Sequence, residues 1–263
     1  KAEDANAEAA PPPTTIGTEN IVVVSQAELA TGPSISGNLQ AARDGLRTLL
    51  WDLDPQGAAS FLFRVRPKVR GGGRKLVRGR SDVAEVLRGT DVVGLDLLPA
   101  DFSYRHMDLV LDESGKPVRR LRKVLAPLED HYDLAVLDCP PSISLVSESV
   151  FEAADALLVP LIPSTLTLRT FKQLGDFVQA EVDHKPEIVA LLSMVDRRKR
   201  LHREVVETLP DGRDDVARSA IPAATEVELM GVSRVPVVVD KPRSRGARAY
   251  AALWTEVRER LEI

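Results

Sequence analysis

Thr48-Leu49-Leu50-Trp51-Asp52-Leu53-Asp54-Pro55-Gln56-Gly57 and Leu134-Ala135-Val136-Leu137-Asp138-Cys139-Pro140-Pro141 share one design: an apolar run ends in aspartate and is then broken by proline. Leu49 to Trp51 and Leu134 to Leu137 are apolar at consecutive positions, so both faces are buried. That predicts strands of a covered parallel sheet, not of an antiparallel sheet with one wet face. Proline donates no N–H and stops the ladder soon after each carboxylate. In an open parallel sheet, ligands sit beyond the carboxyl ends of the strands. Asp52 and Asp54, two residues apart, can share one face where the chain leaves the sheet. Asp138 ends its own strand where a carboxylate can hold a magnesium-bound water.

Short apolar runs recur on either side of these two, between longer amphipathic segments, and the alternation predicts a sheet covered by helices. Strands are expected over 21–25, 48–52, 95–99, 134–138, 156–161, 188–194 and, with the weakest pattern, 235–239. Helices are expected over 35–44, 82–88, 118–128, 145–153, 166–181, 201–209 and 247–261. The fold class is therefore α/β: a doubly wound, mostly parallel sheet with helices on both faces. Residues 1–19 read as a disordered Ala/Pro-rich leader, without the apolar core of a secretory signal or the arginines of a transit peptide. No linker divides the remainder, which leaves a single domain over 20–263. Gly71, Gly72 and Gly73 are expected to mark a flexible loop tip within it.

Of 263 residues, 44% are apolar and 28% charged, a balance that supports a large core and excludes a wholly disordered chain. The longest uncharged apolar stretch, 156–168, contains Pro160 and Pro163 and falls short of the about 20 residues a membrane span needs. The single cysteine, Cys139, excludes an internal disulfide and an all-cysteine metal site, and fits a reducing cytoplasm. No histidine lies beside it in sequence to activate it, so it reads as a small packed residue. The net charge of −4 hides a local asymmetry, because 64–80 carries Arg64, Arg66, Lys68, Arg70, Arg74, Lys75, Arg78 and Arg80 and no acid. A polyanionic partner becomes a candidate.

These motifs resemble those of the ParA/Soj/MinD family. Asp52-Leu53-Asp54-Pro55-Gln56-Gly57 is similar to the family's switch I and Asp138-Cys139-Pro140-Pro141 to its Walker B segment. Ala153-Ala154-Asp155, Leu158-Val159-Pro160, Met194-Val195-Asp196-Arg197-Arg198 and Pro242-Arg243-Ser244-Arg245-Gly246-Ala247 with Tyr250 then follow in the family's order, so the resemblance covers nearly everything after the leader. It implies a deviant Walker P-loop ATPase with ATP and Mg2+ as cofactors, which dimerises around ATP, binds DNA or a membrane in that state and is reset by hydrolysis. By the same resemblance Asp54 orients the attacking water, Asp138 holds the magnesium shell with Asp52 in support, and Gly32, Ser34 and Pro222 lie against the nucleotide. The implied partners are non-specific DNA, a ParB-like or cargo-adaptor protein and a second copy of the chain. The implied role is DNA segregation or cargo positioning, in the cytoplasm at the nucleoid.

One segment departs from the family. Where the first strand should lead into K-G-G-x-G-K-T/S, the chain reads Gln26-Ala27-Glu28-Leu29-Ala30-Thr31-Gly32-Pro33-Ser34-Ile35-Ser36-Gly37-Asn38, and no lysine occurs between Lys1 and Lys68. A P-loop works because glycines let consecutive N–H groups point at phosphates while a lysine reaches the β and γ oxygens. Pro33 has no N–H to give, and Glu28 brings negative charge. The segment 26–42 is also about one helical turn short of the family pattern. Two origins fit: a pseudo-ATPase that keeps the scaffold, or a frame or assembly error confined to this stretch. The first would make the protein a nucleotide-independent adaptor.

Two basic segments are candidate DNA contacts. Arg197, Arg198, Lys199, Arg200, His202 and Arg203 surround Leu201, whose helical repeat with Val205 and Leu209 turns the charge outward. The plain alternative is a solvated helix entry, yet cations at a helix N-terminus oppose the macrodipole and a phosphate would relieve them. The resemblance places Arg198 where the family contacts DNA. The family's I-P-R-N-V-R, however, is here Ile221-Pro222-Ala223-Ala224-Thr225-Glu226, with neither arginine. The second segment, 64–80, can follow a phosphate backbone without reading bases, chiefly through Arg64, Arg66, Lys68, Arg70, Arg74 and Lys75. Only Phe61 and Phe63 lie beside it in sequence, so base stacking is not expected. Its alternatives are a mobile solubilising loop or a dock for an acidic partner, the contact an adaptor would use. In the closing helix Tyr250, Leu253, Trp254, Val257 and Leu261 form a core face, and Glu256, Glu259 and Glu262 interrupt the basic face that membrane binding would require. No membrane contact is expected. One cysteine likewise excludes a nitrogenase-iron-protein-like reductase, whose shared four-cysteine cluster takes two from each chain.

Overall fold

Leu49 and Trp51 pack into one apolar cluster while Leu50, between them, packs into another on the opposite side of the same strand. The same split separates Leu137 from Val136, Leu157 from Leu158 and Leu192 from Leu191, so alternate residues of the central strands feed two cores. The result is three layers, helix on sheet on helix. The computed structural model describes residues 21–25, 31–113, 116–140 and 144–263; of 21–25 and 31–34 it describes the backbone alone. The proposed leader and the segment 26–30 lie outside the described residues.

The chain begins with β1 (Ile21–Ser25), α1 (Thr31–Arg43) and β2 (Thr48–Asp52), then two short helices, α2 (Ala58–Leu62) and α3 (Gly73–Val77). β3 (Arg88–Gly89), β4 (Leu95–Leu98), α4 (Met107–Asp112) and α5 (Arg120–Leu125) lead to β5 (Leu134–Cys139) and α6 (Leu145–Ala153). β6 (Ala156–Leu161), α7 (Thr165–Glu181), β7 (Glu187–Val195), α8 (Arg200–Thr208) and β8 (Val216–Pro222) follow. The chain closes through α9 (Thr225–Glu228), α10 (Met230–Ser233), α11 (Val237–Asp240) and α12 (Arg245–Arg260). The strands form one sheet in the order β3-β4-β2-β5-β1-β6-β7-β8, parallel except where β3 pairs with β4. Leu121 of α5, Val150 of α6, Phe171 and Val178 of α7 and Val205 of α8 cover one face. Ile35 and Leu39 of α1, Val237 of α11 and Leu253 and Val257 of α12 cover the other. The doubly wound α/β class expected from the sequence is thus the observed one. Among the described residues no helix is long and apolar enough to cross a membrane.

Four local expectations are corrected. The run 235–239 is not a strand: Pro236 stands at the N-cap of α11, and Val237 and Val238 are buried in the core beneath α12. The valines' β-propensity yields to packing, and the sheet instead ends in β8, where Arg218 is exposed and Ser219 half-buried. The expected helix at 82–88 is a single turn, closed by the Val86 N–H donating to the Val83 carbonyl at 3.1 Å. Arg88 and Gly89 then pair with Leu97 and Asp96. The expected helix at 118–128 is divided into 3-10 turns at Pro117–Arg119 and Ala126–Leu128 around α5, with Pro127 in the second. Finally, 71–73 is no free loop tip, because Gly73 starts α3 and is buried.

Candidate functional site

β2 and β5 are neighbours in register, and Asp52 and Asp138 are Cα partners across the ladder. β1 runs along the other side of β5, with Val24 opposite Asp138 and Ser25 opposite Cys139. β1 therefore ends beside Asp138. By strand parity Asp52 and Asp138 lie on the face of Leu50 and Val136, the face covered by α1 and α12, and both are fully buried.

Oδ2 of Asp52 accepts from the backbone N–H and from the hydroxyl of Ser60, each at 2.7 Å. Ser60 Oγ in turn accepts from the Ala100 N–H at 3.0 Å, tying β2, α2 and the exit of β4 together. Oδ1 of Asp52 has no hydrogen-bond partner among the described residues. Burial pushes the Asp52 carboxyl up to about 6, against the lowering effect of the Ser60 bonds. A buried carboxylate oxygen without a donor costs free energy unless a proton or cation reaches it. Two carboxylates at the ends of neighbouring strands fit Mg2+, which takes one or two of them and completes its shell with waters and substrate phosphates. Among the described residues no group of three or more His, Cys, Asp or Glu suits an all-protein metal site.

Asp54 is buried just beyond β2, where its Oδ1 accepts from the Gln56 N–H at 2.9 Å and its carbonyl from the Gly57 N–H at 2.9 Å. Gly57 holds φ +67° at the N-cap of α2, and a Cβ there would stand 3.1 Å from Pro67 and 3.3 Å from Ala100. The turn that presents Asp54 thus depends on glycine. Cys139 is buried in the core, and burial pushes its thiol well above the ordinary value. Gly32 and Ser34 fall in the first turn of α1, where only the backbone is described. Pro222 ends β8 opposite Val195, with β1, β6 and β7 between it and Asp138, so the sheet does not bring it to the carboxylates. A lysine and glycine cradle for phosphates is absent from the sequence between Lys1 and Lys68, and residues 26–30 lie outside the described structure. The residues present fit magnesium better than they fit a conventionally held triphosphate.

The basic segment 64–80 is anchored to the scaffold. Val69, Gly73, Leu76 and Val77 are buried, and the Val69 N–H donates to Asp101 Oδ2 at 3.0 Å. Burial opposes the charge of Asp101, but bonds from Ser103, Val69 and Gly73 outweigh it and hold the carboxyl below its ordinary value. A Cβ on Gly73 would stand 2.1 Å from Cε1 of Tyr104, so the backbone packs close against that ring. Arg64 pairs with Asp91 and Arg78 with Glu113. Arg66, Lys68, Arg70, Arg74, Lys75 and Arg80 are exposed, and none has a carboxylate within ion-pair distance among the described residues.

The second basic segment is the turn from β7 into α8. Arg198 grips Asp196 in a bidentate pair, with both bonds at 2.9 Å, and this guanidinium holds the Asp196 carboxyl well below the usual carboxylate range. Arg203 donates to the carbonyls of Arg197 and Arg198 and so closes the turn. Arg197, Lys199 and Arg200 are exposed without an ion pair among the described residues. His202 is not part of this charge: it is buried, its Nδ1 accepts from the Asp196 N–H at 3.0 Å, and burial together with Lys199 lowers its pKa. Ser60 and Asp101 escaped the sequence reading because their partners lie eight and 32 positions away.

Residues 31–189 match the family described as AAA domain. The chain is 30% identical over 219 residues to the sporulation initiation inhibitor protein Soj of Bacillus subtilis, a match covering 81% of this chain and 87% of Soj. It is 30% identical over 223 residues to the chromosome partitioning protein ParA of Myxococcus xanthus, covering 81% and 78%. A cobyrinic acid a,c-diamide synthase of Mycobacterium smegmatis, solved with an ATP analog and magnesium, superimposes with a TM-score of 0.75 at 25% identity over 90% of this chain and 93% of that one. With its strand-end carboxylates on a doubly wound sheet and this extent of likeness to Soj and ParA, the chain belongs to the ParA/Soj family of deviant Walker P-loop ATPases.

Proposed function

We propose that this chain is a ParA-like positioning protein that acts as a homodimer on DNA in the cytoplasm, at the nucleoid. Asp52 and Asp138 would hold magnesium, and Asp54 would orient water. The observation that carries the reading is the register pairing of Asp52 with Asp138 beside the end of β1, with an Oδ1 on Asp52 that has no partner among the described residues. Magnesium there would neutralise a buried carboxylate and a phosphate oxygen together. Non-specific DNA would meet Arg197, Arg198 and Arg200 at the β7–α8 turn, with Arg203 holding that turn closed. It would also meet Arg66, Lys68, Arg70, Arg74 and Lys75 on the anchored basic segment, while Arg64 would first have to leave Asp91. A ParB-like or cargo-adaptor protein would be the regulatory partner.

The test is calorimetric titration of the protein with Mg2+ and ATP, with Asp138→Ala as the control. Micromolar binding that Asp138→Ala abolishes is expected if a switch operates. The absence of binding at millimolar ATP favours a second reading, a nucleotide-independent adaptor that uses its basic segment alone. The missing P-loop lysine is the observation behind that alternative.

A further inference from the structure

Phe102 lies 22 residues beyond the end of the basic segment in sequence, yet the fold sets it between that segment's two anchor points. Its predecessor Asp101 accepts from the Val69 N–H, and the Tyr104 ring packs close against Gly73. Val69 is buried and its neighbours Lys68 and Arg70 are exposed, so both cations face solvent. Arg74 and Lys75 follow Gly73 and are exposed as well.

Phe102 itself is 65% exposed, an unusual position for a ring with a buried tyrosine two residues on. The cause is local. Asp101 caps the 3-10 turn Phe102–His106 through the Ser103 N–H, which fixes the turn so that Tyr104 enters the core and Phe102 points out. The Arg105 guanidinium then stacks over the Phe102 ring, 3.9 Å from its centroid. An exposed aromatic plane backed by a guanidinium, beside cations that have no ion pair among the described residues, has the chemistry of a platform for unpaired bases.

We propose that this surface binds single-stranded nucleic acid, with an unpaired base stacking on Phe102 and Arg105 while Lys68, Arg70, Arg74 and Lys75 hold the flanking phosphates. It rests on the reading that the basic segment holds phosphates, and adds to it the class of strand. Duplex offers the same phosphates, but its bases are stacked inside and give the ring nothing to bind. The β7–α8 turn has no exposed aromatic ring among its residues and would hold both forms alike.

The test is fluorescence anisotropy with a labelled oligothymidylate and a labelled duplex of equal length, on the full chain and on Phe102→Ala and Phe102→Trp. Because the side chain is largely solvated, the variants should fold, and a thermal melt checks this. Phe102→Ala is expected to weaken oligothymidylate binding about tenfold. Phe102→Trp should retain it, and duplex binding should change less than about twofold with an unaltered salt dependence. The inference is overturned if Phe102→Ala leaves oligothymidylate binding intact or weakens both probes equally. Wild-type protein that binds duplex alone overturns this inference and leaves the DNA reading standing, whereas protein that holds neither probe overturns both.

Discussion

The hydroxyl of Ser60 lies 2.7 Å from Oδ2 of Asp52, and the same carboxylate oxygen takes the Ser60 backbone N–H at the same distance. Among the described residues, one residue of α2 therefore supplies the side-chain hydrogen bond to the buried carboxylate at the end of β2, and its Oγ also satisfies Ala100. Ser60→Ala removes a donor from Asp52 and the acceptor of a buried N–H while leaving the backbone bond in place. It should cost about 1–3 kcal/mol in urea unfolding. A change of only a few tenths would mean that the bridge contributes little.

Asp52 also predicts a pH dependence. Its carboxyl titrates near 6 in the folded chain against an ordinary 3.8, so between those values the unfolded chain loses its proton first. The contribution of Asp52 is fully present below 3.8 and is lost as pH rises through about 6. Asp52→Asn cannot ionise and escapes this loss. In magnesium-free buffer its stability relative to wild type should rise by about 1–2 kcal/mol between pH 5 and pH 8. A difference that stays constant across that range contradicts a raised carboxyl.

At the β7–α8 turn, Arg198 is already paired with Asp196, so DNA binding there, as proposed, would have to compete with that carboxylate. Asp196→Asn keeps an oxygen for the Arg198 N–H but removes the charge, and should tighten duplex retention several-fold. Arg198→Ala should weaken it and lower the magnitude of the log–log salt slope by about one. Retention that is insensitive to salt would remove this turn from the DNA surface.

Gly73→Ala tests the anchoring of the basic segment. The glycine's φ is not in the left-handed region, so the obstacle to alanine is steric: its Cβ would stand 2.1 Å from Cε1 of the Tyr104 ring. Tyr104 is buried and bonded to Trp51 Nε1 at 3.3 Å, and cannot retreat freely. The expected cost is about 1–3 kcal/mol by thermal or urea melt, as for other overpacked cores. A melt identical to wild type would show the segment to be free of the ring.

The strands that carry the carboxylates could be read from the chain because burial on both faces leaves uninterrupted apolar runs, as in Leu49 to Trp51 and Leu134 to Leu137. β8 could not, since Arg218 and Ser219 lie on a sheet edge where one side is wet and the pattern is mixed. The valines of 235–239 misled for the converse reason: apolar character marks burial, and burial is equally available to a single helical turn after Pro236. His202 looked like one charge among six, and only its contact with the Asp196 N–H removes it from the basic surface.

What the sequence determined by itself was the chemistry at the strand ends: aspartates closing apolar runs, a cation-rich stretch, and no lysine between Lys1 and Lys68. These are properties of composition and local order, and they survive any arrangement of the strands. The tertiary structure alone decided which of those groups meet. The strand order brings Asp52 opposite Asp138 across 86 residues of chain, and the fold sets Asp101 against Val69 and Tyr104 against Gly73. Such meetings depend on crossover connections and core packing, whose energies are summed over many distant contacts and leave no mark at the residues that are brought together.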